Sequence, residues 1–288
     1  MATRGPGPDW PNAETSQLID SKPHRWHVQV AGQGLKVLLL HGAGAASHSW
    51  RHVLPMLAKT HHVVAPDLPG HGFTQLGARN RSGLLAMSED LARLCDGQGW
   101  QPDVIIGHSA GAAIALQMAR QSPQLPKAVI SVNGALGNFK GVAGWLFPAL
   151  AQLLAISPFA PDIFSRLVGT EHRVRALLEG TGSRIDEETV KLYRRLVRDR
   201  NHVNGTLCMM AQWRLGSLVA DLARQDVPML FLVGEEDRTV PAKVSYDAMK
   251  RIPSAELRAF PNTGHLLQEE APELVVAETK RFLQAVLR

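Results

Sequence analysis

Cysteine is scarce: Cys95 and Cys208 are the two in 288 residues, too few for a disulfide framework. Each reads as a small apolar residue of the interior, in keeping with a reducing compartment. No apolar run reaches the ~18 residues that would span a bilayer. The opening Met1-Ala2-Thr3-Arg4-Gly5-Pro6-Gly7-Pro8 has no apolar core of a secretory signal, so the expected location is cytoplasmic. A basic tract interleaved with aromatics is missing, and the net charge is only +5, which argues against a nucleic-acid partner. That balance suits an anionic small molecule or contact with an acidic membrane surface. No Cys-x-x-Cys pair and no P-loop with its Lys-Ser/Thr is present. No metal site and no cofactor are expected.

What is present centres on Val104-Ile105-Ile106-Gly107-His108-Ser109-Ala110-Gly111-Ala112-Ala113-Ile114-Ala115-Leu116. A short β-branched run passes through two glycines flanking a serine and continues as Ala/Leu-rich sequence with helical spacing. That pattern predicts strand, sharp turn and helix, with Ser109 at the apex. Gly107 and Gly111 let strand and helix approach closely. The amide of Ala110 then lies at a helix N-terminus, where donors are unpaired and negative charge is favoured.

Elsewhere strands and helices alternate, which predicts a mostly parallel sheet covered on both faces. His27-Val28-Gln29-Val30 reads as an outer strand and Lys36-Val37-Leu38-Leu39-Leu40 as a central one. Further strands are read at His62–Pro66, Ala128–Asn133, Val227–Gly234 and Ala255–Phe260. Helices are read at Trp50–Leu57, with Pro55 distorting it, and at Ser88–Cys95, with Ser88 as N-cap. The final helix runs from about Pro272 to Leu287. Residues 1–15, rich in Pro and Gly, read as a loose or surface-laid tail. The alternation stops over 136–220, which reads as helices only and therefore as a lid inserted between core segments 16–135 and 221–288. The lid carries eleven Lys/Arg against seven Asp/Glu. Arg194, Arg195 and Arg198 on its charged helix read as a solvated face.

Serine is a weak nucleophile near neutral pH and needs a base, which in turn needs an acid to orient it. In open parallel sheets such groups gather at strand C-termini. Three stand there in the order Ser109, Asp237, His265. Asp237 is preferred over Glu235 and Glu236 because it is the shorter side chain, placed just before a Thr-Val-Pro turn. After the central strand, His41-Gly42-Ala43-Gly44-Ala45 turns backbone amides toward the site, so Ala43 and Ala110 are the candidate oxyanion donors. His41, Gly42 and His108 are expected to line or buttress the pocket, and Trp145 and Phe147 of the insertion to line it.

His41-Gly42, Asp67-Leu68-Pro69-Gly70-His71-Gly72, Gly107-His108-Ser109-Ala110-Gly111, Gly234-Glu235-Glu236-Asp237 and Gly264-His265 together resemble the α/β-hydrolase superfamily. With Ser109 at the nucleophile position, the chain does not resemble the members that use aspartate there. A narrower resemblance rests on Pro8-Asp9-Trp10-Pro11-Asn12, Asn133-Gly134-Ala135-Leu136, Gly180-Thr181-Gly182-Ser183-Arg184 and Met209-Met210-Ala211-Gln212-Trp213. It is to the magnesium-chelatase accessory proteins of bacteriochlorophyll biosynthesis. One departure is Ala112, where many superfamily members have glycine. The resemblance implies a porphyrin-type or acyl substrate and a magnesium-chelatase subunit as partner. Two functions follow: a serine hydrolase with Ser109, His265 and Asp237, or a porphyrin-binding, chelatase-accessory protein on a hydrolase scaffold. Docking on a membrane surface through residues 141 to 156 is a third reading.

Overall fold

The computed structural model describes residues 5–121, 126–137 and 159–287. Its strands are β1 (Ser16–Ser21), β2 (His24–Ala31), β3 (Leu35–Leu40), β4 (His61–Pro66), β5 (Val104–His108), β6 (Ala128–Val132), β7 (Met229–Gly234) and β8 (Ala255–Phe260). They form one sheet in the order β1-β2-β4-β3-β5-β6-β7-β8. β2 is antiparallel to both β1 and β4, and every pairing from β4 to β8 is parallel. The expected α/β-hydrolase architecture is therefore what the chain adopts.

The central strands are apolar without alternation because both faces are covered. On one face Leu38, Ile105, Val129 and Phe231 pack beneath the helices Leu84–Gln98 and Ala110–Gln121 through Leu91, Leu94 and Ile114. On the other, Val37, Ile106, Ile130 and Leu230 meet Leu54, Val275 and Phe282 of the helices Val53–Ala58 and Pro272–Val286. The period of two in strands assigns neighbours such as Val37 and Leu38 to opposite cores.

Several local expectations change. The strand read as outermost is β2, and β1 lies outside it. The sequence Ser-Gln-Leu-Ile-Asp-Ser alternates poorly because neither face of β1 is fully buried. Ser88 is not a cap: the helix starts a turn earlier, after Gly83, and Ser88 Oγ donates to the Leu85 carbonyl within it. Residues 47–50 form a 3-10 turn before Val53–Ala58. Pro55 falls in the first turn of that helix, where a missing N–H removes no bond. Within the Pro/Gly-rich opening, the described residue Trp10 is firmly seated. Trp10 is 2% exposed, packs with Ala46, Leu192 and Leu196, and meets Phe73 and His48 edge-on. Arg195 is likewise not merely solvated, since its guanidinium lies 5.4 Å over the Trp10 ring and it bonds Asp9. Arg194 reaches the Gly169 carbonyl.

Between 159 and 220 the described residues form the helices Ala160–Val168, Glu171–Glu179, Glu187–Val197, Arg200–Gln212 and Gly216–Ala220, and no strand. The helix Glu187–Val197 is stitched to the core through buried polar groups. Arg51 donates to Glu269 Oε2 at 2.5 Å and to Thr189 Oγ1 at 2.7 Å. Tyr193 donates to Glu269 Oε1 at 2.8 Å. Removing one member of a buried pair strands the other charge, so Arg51→Ala is expected to destabilise the fold by about 3–5 kcal/mol. Urea unfolding at pH 7 checks this, and a change under ~1 kcal/mol would show that the pair contributes little.

Candidate active site

The candidate site is built around the turn after β5. Ser109 has φ 52°, a left-handed conformation that non-glycine residues seldom adopt without surrounding constraint. A methyl group at Gly107 would lie 2.3 Å from the Gly111 carbonyl oxygen, and one at Gly111 would lie 2.2 Å from that of Leu40. Strand and helix thus touch backbone to backbone and drive Ser109 to the apex. Its N–H donates to the Val132 carbonyl, and its carbonyl accepts from the amides of Ala112 and Ala135. Ala112, in place of the family glycine, is fully buried and is accommodated.

His265 and Asp237 lie in the loops after β8 and β7. His265 Nδ1 donates to Asp237 Oδ2 at 2.7 Å. The other oxygen, Oδ1, accepts from the amides of Thr239 and Val240, both at 2.8 Å. The carboxylate is thereby fully partnered and held in one orientation. Glu235 and Glu236 are exposed. The imidazole side chain is 8% exposed and that of Asp237 0%, so the acid is sealed and the base reaches the surface of the site. Among the described residues no hydrogen bond joins the Ser109 hydroxyl to this ring. Such contacts are often loose before a substrate binds.

Two residues hold the base in place. His108 Nε2 donates to the His265 carbonyl at 2.8 Å. Asn133 Nδ2 donates to the carbonyls of Gly264 and His265, both at 2.9 Å, while its Oδ1 accepts from Gly234 N–H at 2.8 Å. Asn133 therefore ties the ends of β6 and β7 to the histidine loop. Its functional importance was not readable from residue type alone, although an Asn directly after a strand, here with φ 45°, is a mark of a special turn. Ser183, part of the Gly180-Thr181-Gly182-Ser183-Arg184 motif, has a bracing contact that the motif did not disclose. Its Oγ accepts from Leu266 N–H at 2.8 Å, and Gly182 packs so closely that a methyl there would lie 1.9 Å from the Glu236 carbonyl.

The turn after β3 abuts the elbow, since a methyl at Gly42 would lie 3.0 Å from both Ser109 Cβ and His108 Nδ1. The amides of Ala43 and Ala110 carry no hydrogen bond among the described residues. His41, Gly42 and His108 are buried next to the Ser109 turn. His41 Nδ1 donates to the Gly42 carbonyl and its Nε2 accepts from Leu68 N–H. Trp145 and Phe147 lie outside the described residues, as do residues 141 to 156. His48 and His52 have the i, i+4 spacing of a ligand pair. No group of three metal-ligating side chains, however, converges among the described residues. No helix there is long and apolar enough to cross a membrane.

A model of the alpha/beta hydrolase fold matches residues 36–272. The chain belongs to the α/β-hydrolase fold family. Among proteins similar to this α/β-hydrolase, the magnesium-chelatase 30 kDa subunit of Rhodobacter capsulatus is 43% identical over 92% of this chain and 93% of its own. The 2-hydroxymuconate semialdehyde hydrolase of Pseudomonas sp. strain CF600 is 26% identical over 85% of this chain and 86% of its own. A thermophilic esterase from Thermogutta terrifontis has a similar fold, with a TM-score of 0.73 at 23% identity, over 91% of this chain and 94% of that one.

Burial keeps the supporting histidines of this α/β-hydrolase neutral. His41 and His202 are lowered from 6.5 to about 4, and His71 to about 3. His48 and His108 fall well below their usual value for the same reason. Desolvation also pushes Glu269 up to about 7, against the pull of Arg51. The signs oppose. A depressed histidine takes up its proton in the unfolded chain first, so stability is lost as pH falls from 6.5 toward 4. The raised Glu269 favours the folded state at low pH and loses that contribution as pH rises from 4.5 to about 7. The lowered histidines outnumber the one raised carboxyl, so the loss on acidification prevails. Urea midpoints are therefore expected to fall steadily from pH 6.5 to pH 4.5. A flat or rising profile would show that these rings are not held neutral.

Proposed function

We propose that this chain is a serine hydrolase of ester or related acyl bonds, acting in the cytoplasm in bacteriochlorophyll biosynthesis. The observation that carries the reading is Ser109 on its left-handed turn at the same sheet edge as the bonded His265–Asp237 pair. Ser109 Oγ attacks the acyl carbon while His265 Nε2 takes its proton. Asp237 fixes the tautomer and stabilises the imidazolium that results. The amides of Ala43 and Ala110 receive the oxyanion. His265 returns the proton to the leaving alcohol, and the same base then activates water to release the acid from Ser109. The insertion 136–220 serves as lid, and its Trp145 and Phe147 as pocket lining. The likeness to a chelatase subunit supports a porphyrin-type substrate and a magnesium-chelatase subunit as partner.

That same likeness favours a second reading, in which the protein binds a porphyrin or a chelatase subunit and the serine is unused. Fluorophosphonate labelling and turnover of a panel of aryl and porphyrin esters separate the two. Ser109→Ala is expected to abolish labelling, and Asp237→Asn to lower kcat by roughly 10⁴-fold. A wild-type protein that neither labels nor turns over, yet quenches its tryptophan fluorescence saturably with micromolar protoporphyrin, would replace the hydrolase by the binding protein.

A further inference from the structure

His202 sits in the helix Arg200–Gln212, far in sequence from the elbow, and is 2% exposed. Both of its ring nitrogens bond to the core. Nδ1 accepts from Gly72 N–H at 3.0 Å. An acceptor at Nδ1 places the proton on Nε2, which donates to the Gly44 carbonyl at 3.1 Å. The neutral ring can make both bonds only in this tautomer, and burial lowers its pKa to about 4 and keeps it neutral.

The carbonyl it grips belongs to the turn that carries Ala43. That turn is closed by Ala45 N–H donating to the Gly42 carbonyl at 3.2 Å and has Gly44 at φ 76°, the geometry of a turn with a left-handed third residue. The Gly44 carbonyl and the Ala45 N–H belong to one planar peptide, and the Gly42 carbonyl and the Ala43 N–H to another, so the closing bond couples the peptide that His202 grips to the one that carries the Ala43 amide. The helix is also pinned beside the turn. A methyl at Gly205 would lie 2.1 Å from the Gly70 carbonyl, and the nearest atom to a methyl at Gly44 is Thr206 Cγ2 at 3.7 Å. The rings of His202 and His71 meet edge to face at 5.3 Å, which blocks a tilt of the imidazole away from Gly44.

We infer that His202 is a positioning residue: from the helical segment it fixes the peptide after Gly44, and through it the aim of the Ala43 amide at the oxyanion. The inference rests on the hydrolase reading above. It implies that the Arg200–Gln212 helix stays seated during turnover, because lifting it would dismantle the oxyanion turn.

Two substitutions divide the ring's two bonds. His202→Gln keeps an amide donor near the position of Nε2 for the Gly44 carbonyl. His202→Asn keeps an acceptor near the position of Nδ1 for Gly72 N–H but does not reach Gly44. With an aryl ester as substrate, His202→Asn is expected to lower kcat by about 10- to 100-fold with KM little changed. Its inhibition constant for a trifluoromethyl ketone, which forms the oxyanion, should rise by the same factor. His202→Gln should stay within a few-fold of wild type on both measures. Hydrogen exchange of the peptide covering residues 41–46 should speed up in His202→Asn alone. Equal losses in both variants, or a change confined to KM or melting temperature, would overturn the inference. If the wild-type protein proves inactive, the exchange result decides. Selective loosening in His202→Asn would leave the brace standing while the hydrolase reading falls, and no loosening would remove the brace.

Discussion

A turn with no room for one extra methyl group governs this molecule. Gly107, Gly111 and the Leu40 carbonyl meet at backbone contact distance, so the chain reverses at Ser109 with a positive φ. The strain of that conformation is held by the sheet itself. The Ser109 amide is tied to β6 through Val132, and its carbonyl accepts twice. Every other element of the site is placed with respect to this point: the β3 turn presses against it through Gly42, and the histidine loop is hung beside it by His108 and Asn133.

The histidines divide into one that reaches the site and several that are structural. His265 keeps an exposed edge and a fully bonded carboxylate behind it. His41 and His202 are buried, uncharged and used as two-ended hydrogen-bond linkers between loops. Asp67 plays the corresponding anionic part, accepting from Ser47 N–H, Phe73 N–H and His27 Nδ1, and these partners hold its carboxyl below the usual range even against desolvation. Both ring nitrogens of His41 and His202 and both oxygens of Asp67 are engaged, which stiffens the loops they join. Both ring nitrogens of His48, Nε2 of His71 and Nδ1 of His108, by contrast, are buried without a hydrogen-bond partner among the described residues.

The elbow was legible because it is local: β-branched residues, two flanking glycines and an Ala-rich helix dictate their conformation within a dozen positions. The central strands were legible from their unbroken apolar runs. Asp237 and His265 could be proposed from strand-end position and chain order. β1 was not legible, since an edge strand with neither face buried has no apolar pattern to read. Nor was the seat of Trp10, whose partners Ala46, Leu192 and Leu196 come from two distant segments.

The amino-acid sequence alone determined the succession of the strands from β2 to β8, the turn at Ser109 and the family to which the chain belongs, because each depends on periodicity and neighbour identity over short spans. The tertiary structure alone decided which histidines stay neutral, that Asn133 and Ser183 brace the His265 loop, and that His202 grips the turn after β3. Those outcomes depend on burial and on partners more than a hundred residues apart for Asn133 and His202 and more than eighty for Ser183. No local pattern encodes the desolvation or the bond that such a distant neighbour supplies.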